Sequence, residues 1–475
     1  MNARVHMALR YLLRLIPSAS GTLSPILDNK FPFSDENKKR HVAYIQNLIR
    51  ILDYAQELKT HIFALITERL VKIDVLMQTD LENEDDEVAA TVMHNLTMAA
   101  EYGSDSEESD TDSDSNSEEE LAPREELIRK MEMNVDKMDC ILDVLFELYT
   151  PYFSEPNSAT AIAMFDTLLS QFRNIILPTY RSRHTQFLIF HFAQTSEHLI
   201  DTFAGECVDL AFKSGRPAVL KQSAAAYLAS FVSRGAHVLP HVVRDVFNYI
   251  GVNLDIIRAE NEVTCRGPDL QRYGTFYATT QALLYIFCFR WRDLIVSPSS
   301  TEIDADGNEV PVEVDEEDFI NTDLIWHPGV KELFDRTIYS KLNPLKICAP
   351  SIVDEFARIA NQLRFMYVYP LLATNKRIRL SQFTVGRGRE DEGGSLRDVG
   401  YGEEGEGWHQ LDAYFPFDPY HLPRSKRWLE GDYQAWRGVP GLRDEEESGE
   451  EDEDEESSSS GESESEEEET ATEDE

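Results

Sequence analysis

Apolar residues recur at intervals of three and four positions along much of the chain. The longest series run from 38 to 79 and from 131 to 148. This spacing puts apolar side chains on one face of an α-helix, and such a face needs another helix to cover it. Short breaks at Pro17, Pro151 and Pro217 separate the series. The pattern therefore predicts successive helical hairpins joined by tight turns.

Hairpins of about forty residues are the repeating unit of HEAT-type proteins, in which each repeat packs mainly on its neighbours. We therefore predict an all-α fold built as a HEAT-like helical repeat solenoid. A two-domain helical bundle is the alternative, because no repeated sequence signature is visible. Ser158 precedes an apolar series and is predicted to cap a helix. The strand candidates are limited to 294–296, 310–314 and 378–385.

The net negative charge of the sequence comes from three segments. Residues 80–120 contain sixteen acids, residues 302–318 contain nine and residues 444–475 contain twenty, and none of these segments contains Lys or Arg. The formal charge of the whole chain is -42, so the remainder carries +3. Runs of like charge with few apolar residues repel themselves and bury too little surface to fold. We therefore predict disordered acidic loops and a disordered acidic tail on a near-neutral helical body.

These features divide the chain into five predicted segments. Seven glycines between Gly386 and Gly405, with fading periodicity, indicate that the helical body has ended before them. The segments are N-terminal helical repeats at 1–79, an acidic loop at 80–122, a repeat body at 123–370 with a second acidic loop at 300–320, an irregular segment with an aromatic block at 371–440, and an acidic tail at 441–475.

The sequence has the features of an intracellular, soluble protein. Its five cysteines are widely spaced, which fits neither a disulfide framework nor a zinc site. Arg10 and Arg14 interrupt the apolar N-terminus, so a secretory signal peptide is not predicted. The richest apolar stretch, 273–291, is too short and too polar to span a membrane. We therefore expect no membrane partner.

Three short basic clusters are the candidates for contact with nucleic acid. They are Lys38-Lys39-Arg40, Lys376-Arg377-Arg379 and Arg424-Lys426-Arg427. Phosphate contacts need a concentrated basic face, and each of these clusters is short. We interpret them as solvated charges at helix ends and in loops, with a nuclear-import signal as the alternative. Direct sequence-specific DNA binding is not expected.

Histidines are the only candidates for metal ligands. His184, His191 and His198 are seven residues apart. A zinc site requires closer spacing, such as i,i+4, and further acidic or thiol ligands. We therefore interpret the three histidines as a stripe on one helical face. His237 and His241 have i,i+4 spacing, but a proline between them would break a shared helix. We predict no metal and no cofactor.

No catalytic motif is visible in the sequence. The Gly-x-Gly pair that starts at Gly386 follows no clear strand and opens no helix, so a phosphate-binding loop is not predicted. The many carboxylate pairs lie in the acidic runs, where they lack the fixed geometry that general acid–base catalysis needs. We predict a protein that is not an enzyme.

Serines inside the acidic runs match the pattern that an acid-directed kinase recognises. A phosphate on such a serine would add about -1.5 to -2 charges. The alternative is that Ser is simply the commonest neutral spacer in acidic sequence. The candidates, each with an acid three residues on, are Ser104, Ser109, Ser115, Ser117, Ser463 and Ser465.

Two strings of residues resemble signature blocks of a known family. The first string, 340–353, contains Asn343, Pro344, Lys346 and Pro350, and the second, 414–420, contains Phe415, Pro416, Phe417, Asp418 and Pro419. Both resemble the RNA polymerase I-specific transcription initiation factor family, of the transcription initiation factor IA type. Supporting segments lie in the same order, at 12–17, 44–51, 70–75 and 224–231.

The resemblance implies an all-helical HEAT-repeat fold without enzymatic activity. The family binds RNA polymerase I subunits, makes the enzyme competent for ribosomal RNA synthesis and bridges it to the promoter core factor in the nucleus, at the nucleolus. Its members carry an acidic loop between helical repeats, which matches the position of 80–120. Self-association stays open, and a helical-repeat adaptor, such as a transport receptor or an acidic chaperone of basic cargo, is the alternative function.

The sequence departs from the family pattern at its start. The family usually has further helical repeats ahead of the position of residue 1, so we expect the repeats at 1–79 to be truncated or to belong to a real short form. The family's serine patch, whose phosphorylation opposes polymerase binding, would fall largely ahead of residue 1. Ser18, Ser20 and Ser24 are the nearest candidates for polymerase-interface or regulatory sites, with helix caps at the Pro17 turn as the structural alternative.

Overall fold

The computed structural model describes residues 2–82, 88, 91–92, 94–95, 98, 123–179, 182–296, 301–303, 309–311, 324–376 and 410–439. Almost all of the regular structure within these residues is helical, which confirms the all-α prediction. The helices, in chain order, are α1 Asn2–Leu15, α2 Ala19–Lys30, α3 Lys38–Leu52, α4 Lys59–Glu82, α5 Pro123–Tyr149, α6 Ala159–Gln171, α7 Phe187–Ala193, α8 Glu197–Phe212, α9 Ala218–Arg234, α10 Pro240–Glu262, α11 Leu270–Arg290, α12 Val330–Ile338, α13 Pro350–Gln362 and α14 at 369–376.

The first five helices pack against one another. Helices α3 and α4 are the hairpin predicted between 38 and 79, and both pack against α5. Asn37 caps α3 by accepting a hydrogen bond from the N–H of Arg40.

The segment boundary predicted at 79–80 lies inside α4, which continues to Glu82. Val88 and Val92, which we placed in the acidic loop, are helical and buried against the core.

The second half of the body is built around α11. This helix packs against α9, α10 and α13, and α9 packs in turn against α8. Ser158 caps α6 as predicted, because its side chain accepts a hydrogen bond from the N–H of Ala161. Ser196 caps α8 in the same way, through the N–H of Leu199. Side-chain caps therefore mark several of the breaks between helices.

Extended structure is short in the described part of the chain. Strands β1 Thr301–Ile303 and β2 Glu309–Pro311 pair antiparallel, with Glu302 opposite Val310. The candidate at 310–314 therefore contributes the end of β2. In the candidate at 294–296, Ile295 forms a single bridge with Trp326. The candidate at 378–385 lies outside the described residues.

One continuous apolar core runs through the described residues. It extends from Leu13 in α1 to Val439 and includes the fully buried Trp291, Phe146 and Phe417. A core shared along successive helices is the organisation expected for a solenoid. Among the helices described, none is long and apolar enough to cross a membrane.

Candidate functional site

The last described segment, residues 410–439, lies across the helical body and is called here the C-terminal clasp. Near its start, the side-chain amide of Gln281 donates a 2.9 Å hydrogen bond to the carbonyl of Asp412. Near its end, the guanidinium of Arg292 donates to the carbonyl of Gly438 at 3.3 Å. The irregular segment predicted at 371–440 is therefore packed over this part of its length, and its first six residues belong to α14.

Phe417 is the buried centre of the C-terminal clasp. Its ring centroid lies 4.7 Å from that of Phe190, and 5.6 Å from those of Phe187 and Tyr227. Its backbone N–H donates a 2.9 Å hydrogen bond to the hydroxyl of Ser230. Aromatic pairs at these distances contribute about 0.5–1.5 kcal/mol beyond the burial of their area. The clasp therefore completes the core between α7 and α9.

The residues beside Phe417 join the clasp to α9 and α11. The Phe415 ring stacks on Tyr285 with centroids 3.7 Å apart and planes 13° apart. A carboxylate oxygen of Asp418 lies 3.9 Å from the guanidinium of Arg234, and burial raises the pKa of this carboxyl group. The same guanidinium lies 4.0 Å from the ring centroid of Phe289. The second signature block thus has a packing role.

Asp74 of α4 holds the backbone that leads into α7. Its Oδ2 accepts hydrogen bonds from the N–H groups of Arg183, His184 and Thr185, at 3.2, 2.9 and 3.0 Å. Burial acts to raise the pKa of Asp74, but the charge of His184 and the hydrogen bonds outweigh it, so the pKa lies below its ordinary value. A buried carboxylate with this many donors is a structural anchor.

The clasp shares this anchored segment. The Tyr414 hydroxyl donates a 2.6 Å hydrogen bond to the carbonyl of Ser182. The side-chain amide of Gln186 donates to the carbonyls of Ser182 and Pro416, at 2.7 and 2.8 Å. Helix α4, the turn before α7 and the clasp therefore meet at one place.

Asp139 of α5 anchors a second point of the clasp. It accepts hydrogen bonds from the N–H groups of Arg424 and Ser425, at 2.7 Å each, and from the Ser425 hydroxyl. Burial raises the pKa of Asp139, while the bonds from Ser425 and Arg424 oppose that rise. Close by, the Trp428 ring stacks on Phe146 with planes 15° apart.

Asp432 is a third acid that fixes the clasp, and it is partly buried. Its carboxylate lies 2.5 Å from His191 Nδ1 and 3.3 Å from His237 Nε2. The prediction that the three histidines form a stripe on one helix is wrong, because the helix is interrupted between them. His184 precedes α7, His191 lies in α7 and His198 lies in α8. His184 and His191 instead partner acids.

The second histidine pair is separated as predicted. Helix α10 begins at Pro240, so His237 lies before it and His241 lies in its first turn, 3.2 Å from Glu197. Across the described ranges, no group of three or more His, Cys, Asp or Glu side chains is placed to hold a metal ion.

The first signature block forms the corner between α12 and α13. Asn343 has a positive φ of 44°, a conformation that Asn tolerates better than most residues. Its side-chain amide donates a 2.7 Å hydrogen bond to Asn375. Pro344 is buried and starts a 3₁₀ turn that ends at Lys346, and Pro350 is the first residue of α13. Prolines at these positions fix the corner because their φ is already restricted.

Two of the three basic clusters meet on one surface although they are remote in sequence. The Lys38 ammonium lies 2.6 Å from Asp136, and the Arg424 guanidinium lies 4.0 Å from the same carboxylate. Lys38, Lys39 and Arg424 line a shallow groove together with Val42. In the third cluster, Lys376 ends α14, and the other two members lie outside the described residues.

The candidate serines near the N-terminus lie at the turn between α1 and α2. Ser18 is exposed, Ser20 donates a 2.9 Å hydrogen bond to the carbonyl of Pro17, and Ser24 is half-buried within α2. Ser18 occupies the N-cap position without a side-chain capping bond. The six serines proposed as acid-directed sites all lie outside the described residues.

The sequence pattern does not predict the three anchoring acids Asp74, Asp139 and Asp432. A signal exists for Asp74, because it interrupts the apolar face on which Leu70 and Met77 are buried. An acid on such a face is buried at a cost unless donors surround it. Its donors come from more than 100 residues away, and the sequence pattern does not identify them.

The chain is similar to one protein family over its body and clasp. The family model described as RNA polymerase I specific transcription initiation factor RRN3 matches residues 1–441. The RNA polymerase I-specific transcription initiation factor rrn3 of Schizosaccharomyces pombe is 31% identical, over 93% of this chain and 68% of that protein. The RRN3 factor of Saccharomyces cerevisiae is 28% identical, over 92% and 71%. That of Mus musculus is 27% identical, over 91% and 60%.

A solved structure has the same fold. The crystal structure of RNA polymerase I transcription initiation factor Rrn3 matches with a TM-score of 0.66 and 26% sequence identity. The match covers 91% of this chain and 73% of that chain. The helical repeat organisation is therefore shared with this structure.

Proposed function

The chain belongs to the RNA polymerase I-specific transcription initiation factor RRN3 family, and from this membership we propose that it binds RNA polymerase I and recruits it to the ribosomal DNA promoter through the promoter core factor. The observation that carries the proposal is that the family match includes both the helical body and the C-terminal clasp. The family is one of initiation factors, and we propose that the chain acts by binding and not by catalysis.

The geometry of the body supports a scaffold role. Asp139 and Asp432 join the clasp to α5 and α7, and Asp74 holds the segment before α7 to which the clasp is hydrogen-bonded. Such cross-links make the described helices and the clasp one packed unit. A stable protein interface buries about 1,600 Å² in total, and one face of a long helical array can supply that area.

We place the polymerase contact at the turn between α1 and α2. Ser18, Ser20 and Ser24 lie beside two exposed apolar residues, Ile16 at 53% exposure and Ile26 at 50%. Apolar side chains of this kind contribute binding energy when a partner covers them. A phosphate on a neighbouring serine would disfavour that contact, because a dianion must then lose its water.

Capture of purified RNA polymerase I by the tagged chain tests the proposal. We expect the wild-type chain and a Ser18→Ala, Ser20→Ala, Ser24→Ala variant to retain polymerase, and the matching triple Glu variant to lose most of it. Ser214→Glu, at an exposed turn elsewhere, is the matched control and should bind normally. Failure of the wild-type chain to capture polymerase I would contradict the function, whereas equal binding by all variants would contradict only the serine site.

The acidic segments favour one second candidate function. Twenty acids at 444–475 suit a transport receptor or a chaperone of basic cargo. Capture of import carriers or histones in place of polymerase subunits would support it.

We also propose that the protein is located in the nucleolus, and imaging of a fluorescent fusion tests that location. Self-association is a separate proposal, and sedimentation of the purified chain tests it.

A further inference from the structure

Cations of the C-terminal clasp lie on one surface together with cations of α3 and of the turn before α7. This surface is called here the basic face. Its members are Lys38, Arg183, Arg424, Lys426 and Arg427.

Contacts to shared neighbours bring these cations together. The Arg424 guanidinium and the Lys38 ammonium lie 4.0 and 2.6 Å from the same carboxylate, that of Asp136. The Arg427 guanidinium lies 2.6 Å from Asp143, which lines the groove that Lys38 and Arg424 also line. Segments that are remote in sequence therefore form one surface of like charge.

The carboxylates near the basic face are fewer than its cations. Asp136 serves two of them, and Asp418, which attracts Arg183, also lies 3.9 Å from Arg234. Lys426 is exposed and forms no ion pair within the residues that the structure describes. The face therefore keeps positive charge that its own acids do not neutralise.

The environment of His421 shows where this positive charge is concentrated. Partial burial lowers the pKa of His421, and the positive charges of His184, Lys426 and Arg183 lower it further. Lys426 and Arg183 are thus close enough to act on one imidazole, although 243 residues separate them in the sequence. An anion placed beside His421 would be attracted by both.

The stretch that follows the clasp supplies such an anion. Residues 444–475 contain twenty acids and no Lys or Arg, and they begin five residues after Val439. An extended chain spans about 3.3 Å per residue, so about twenty residues reach roughly 65 Å. For comparison, α5 with its 27 residues is about 40 Å long. Because this stretch is attached to the clasp, its effective concentration at the basic face exceeds that of a separate acidic protein.

We propose that the acidic stretch 444–475 docks on the basic face of its own chain, with its carboxylates against Arg183, Arg424 and Lys426. The docked stretch shields the face from other polyanions, and a basic partner that binds the stretch exposes the face. The family match ends at residue 441, so the contact is proposed for this chain and not for the family. It does not depend on the polymerase contact that we place at Ser18.

Carbodiimide cross-linking of the full chain, read by mass spectrometry of its fragments, tests this contact. The reagent joins a lysine to a carboxylate without a spacer, so the two groups must touch. Lys331 of α12 is the matched control, because it is also exposed and forms no ion pair in the described part of the chain. We expect Lys426 to be joined to 444–475 about fivefold more than Lys331, since opposite charges in contact attract even in water. Equal yields at the two lysines would overturn the proposal.

A charge substitution separates docking from general attraction. Arg183→Gln, Arg424→Gln keeps Lys426 as the reporter and should lower its yield about threefold or more, because two of the attracting charges are removed. Lys213→Gln, Lys331→Gln changes the net charge equally on other helices and should leave that yield unchanged. Equal yields at Lys426 in the two variants would overturn the proposal.

Two measurements on the unsubstituted chain complete the test. Raising the salt from 0.1 to 1 M shortens the Debye length from about 10 to 3 Å, so the yield at Lys426 should fall. A yield that salt does not change would overturn the proposal. In a mixture of isotope-labelled and unlabelled chains, the cross-links should join residues of one chain. Cross-links that mainly join labelled to unlabelled chains would assign the stretch to a second copy and overturn docking within the chain.

Discussion

Asp74 and His184 face each other inside the protein, with Asp74 Oδ1 2.9 Å from His184 Nδ1, although 110 residues separate them in the sequence. The hydroxyl groups of Ser182 and Thr185 donate to the other carboxylate oxygen, at 2.8 and 3.0 Å. One acid thus binds α4 to the segment on which the C-terminal clasp rests. Asp74 is therefore one of the buried groups that couple the clasp to the N-terminal helices, together with Asp139 of α5.

Replacing Asp74 with Asn should destabilise the protein by about 3 kcal/mol. The amide of Asn would direct N–H donors at groups that are themselves donors, and loss of a buried charged partner typically costs this much. Asp80→Asn is the matched control, because Asp80 lies in the same helix but its side chain is 39% exposed and 3.9 Å from Lys130. Its effect should be within about 0.5 kcal/mol. Denaturant unfolding of both variants measures the difference, and equal effects would show that Asp74 is not an anchor.

The contribution of Asp74 to stability should disappear in acid. Its pKa in the folded protein is below the ordinary value of 3.8, so the stabilisation is present above that pH and is lost as the pH falls through the lowered pKa. The difference in unfolding free energy between wild type and Asp74→Asn should therefore shrink as the pH falls below 3.8. Unfolding curves at a series of pH values test this, and a difference that grows in acid would contradict the lowered pKa.

Phe417→Ala should lower the free energy of unfolding by about 4 kcal/mol and release the clasp. The ring is fully buried among aromatic side chains, and truncating such a residue leaves a cavity that the neighbours fill only in part. Phe33→Ala is the control, since Phe33 is 76% exposed, and it should change stability by about 0.5 kcal/mol or less. Because the clasp is released in Phe417→Ala, trypsin should cut this variant at Arg427 faster than it cuts the wild type. Unchanged cleavage would mean that the clasp is held without this ring.

The helices of the body could be predicted because helical periodicity is a local property. The hairpin of α3 and α4 and the cap at Ser158 depend only on residues within a few turns of each other. The break between α7 and α8 was missed, although Ser196 followed by Glu197 is a recognisable helix start. Spacing alone led us to place His191 and His198 on one helix.

The clasp could be recognised from the sequence but its position could not. The block from Tyr414 to Tyr420 stands out by its aromatic and proline content, yet it has no periodicity that reveals which face it covers. Its partners lie at separations such as 230 residues for Gln186 and Pro416, and 286 for Asp139 and Ser425. Such contacts are set by how the whole solenoid stacks, and local spacing does not encode that.

Deleting 99–120 should alter how salt affects partner binding while leaving stability within about 1 kcal/mol of wild type. The deletion removes ten acids, and surface charge acts mainly on association rate and selectivity. Deleting 80–120 should instead lower the free energy of unfolding by about 4 kcal/mol, because it also removes Val88 and Val92, which are 3% and 0% exposed. Thermal unfolding, together with polymerase capture at several salt concentrations, separates the two deletions. A similar loss of stability in both would mean that residues 99–120 themselves belong to the core.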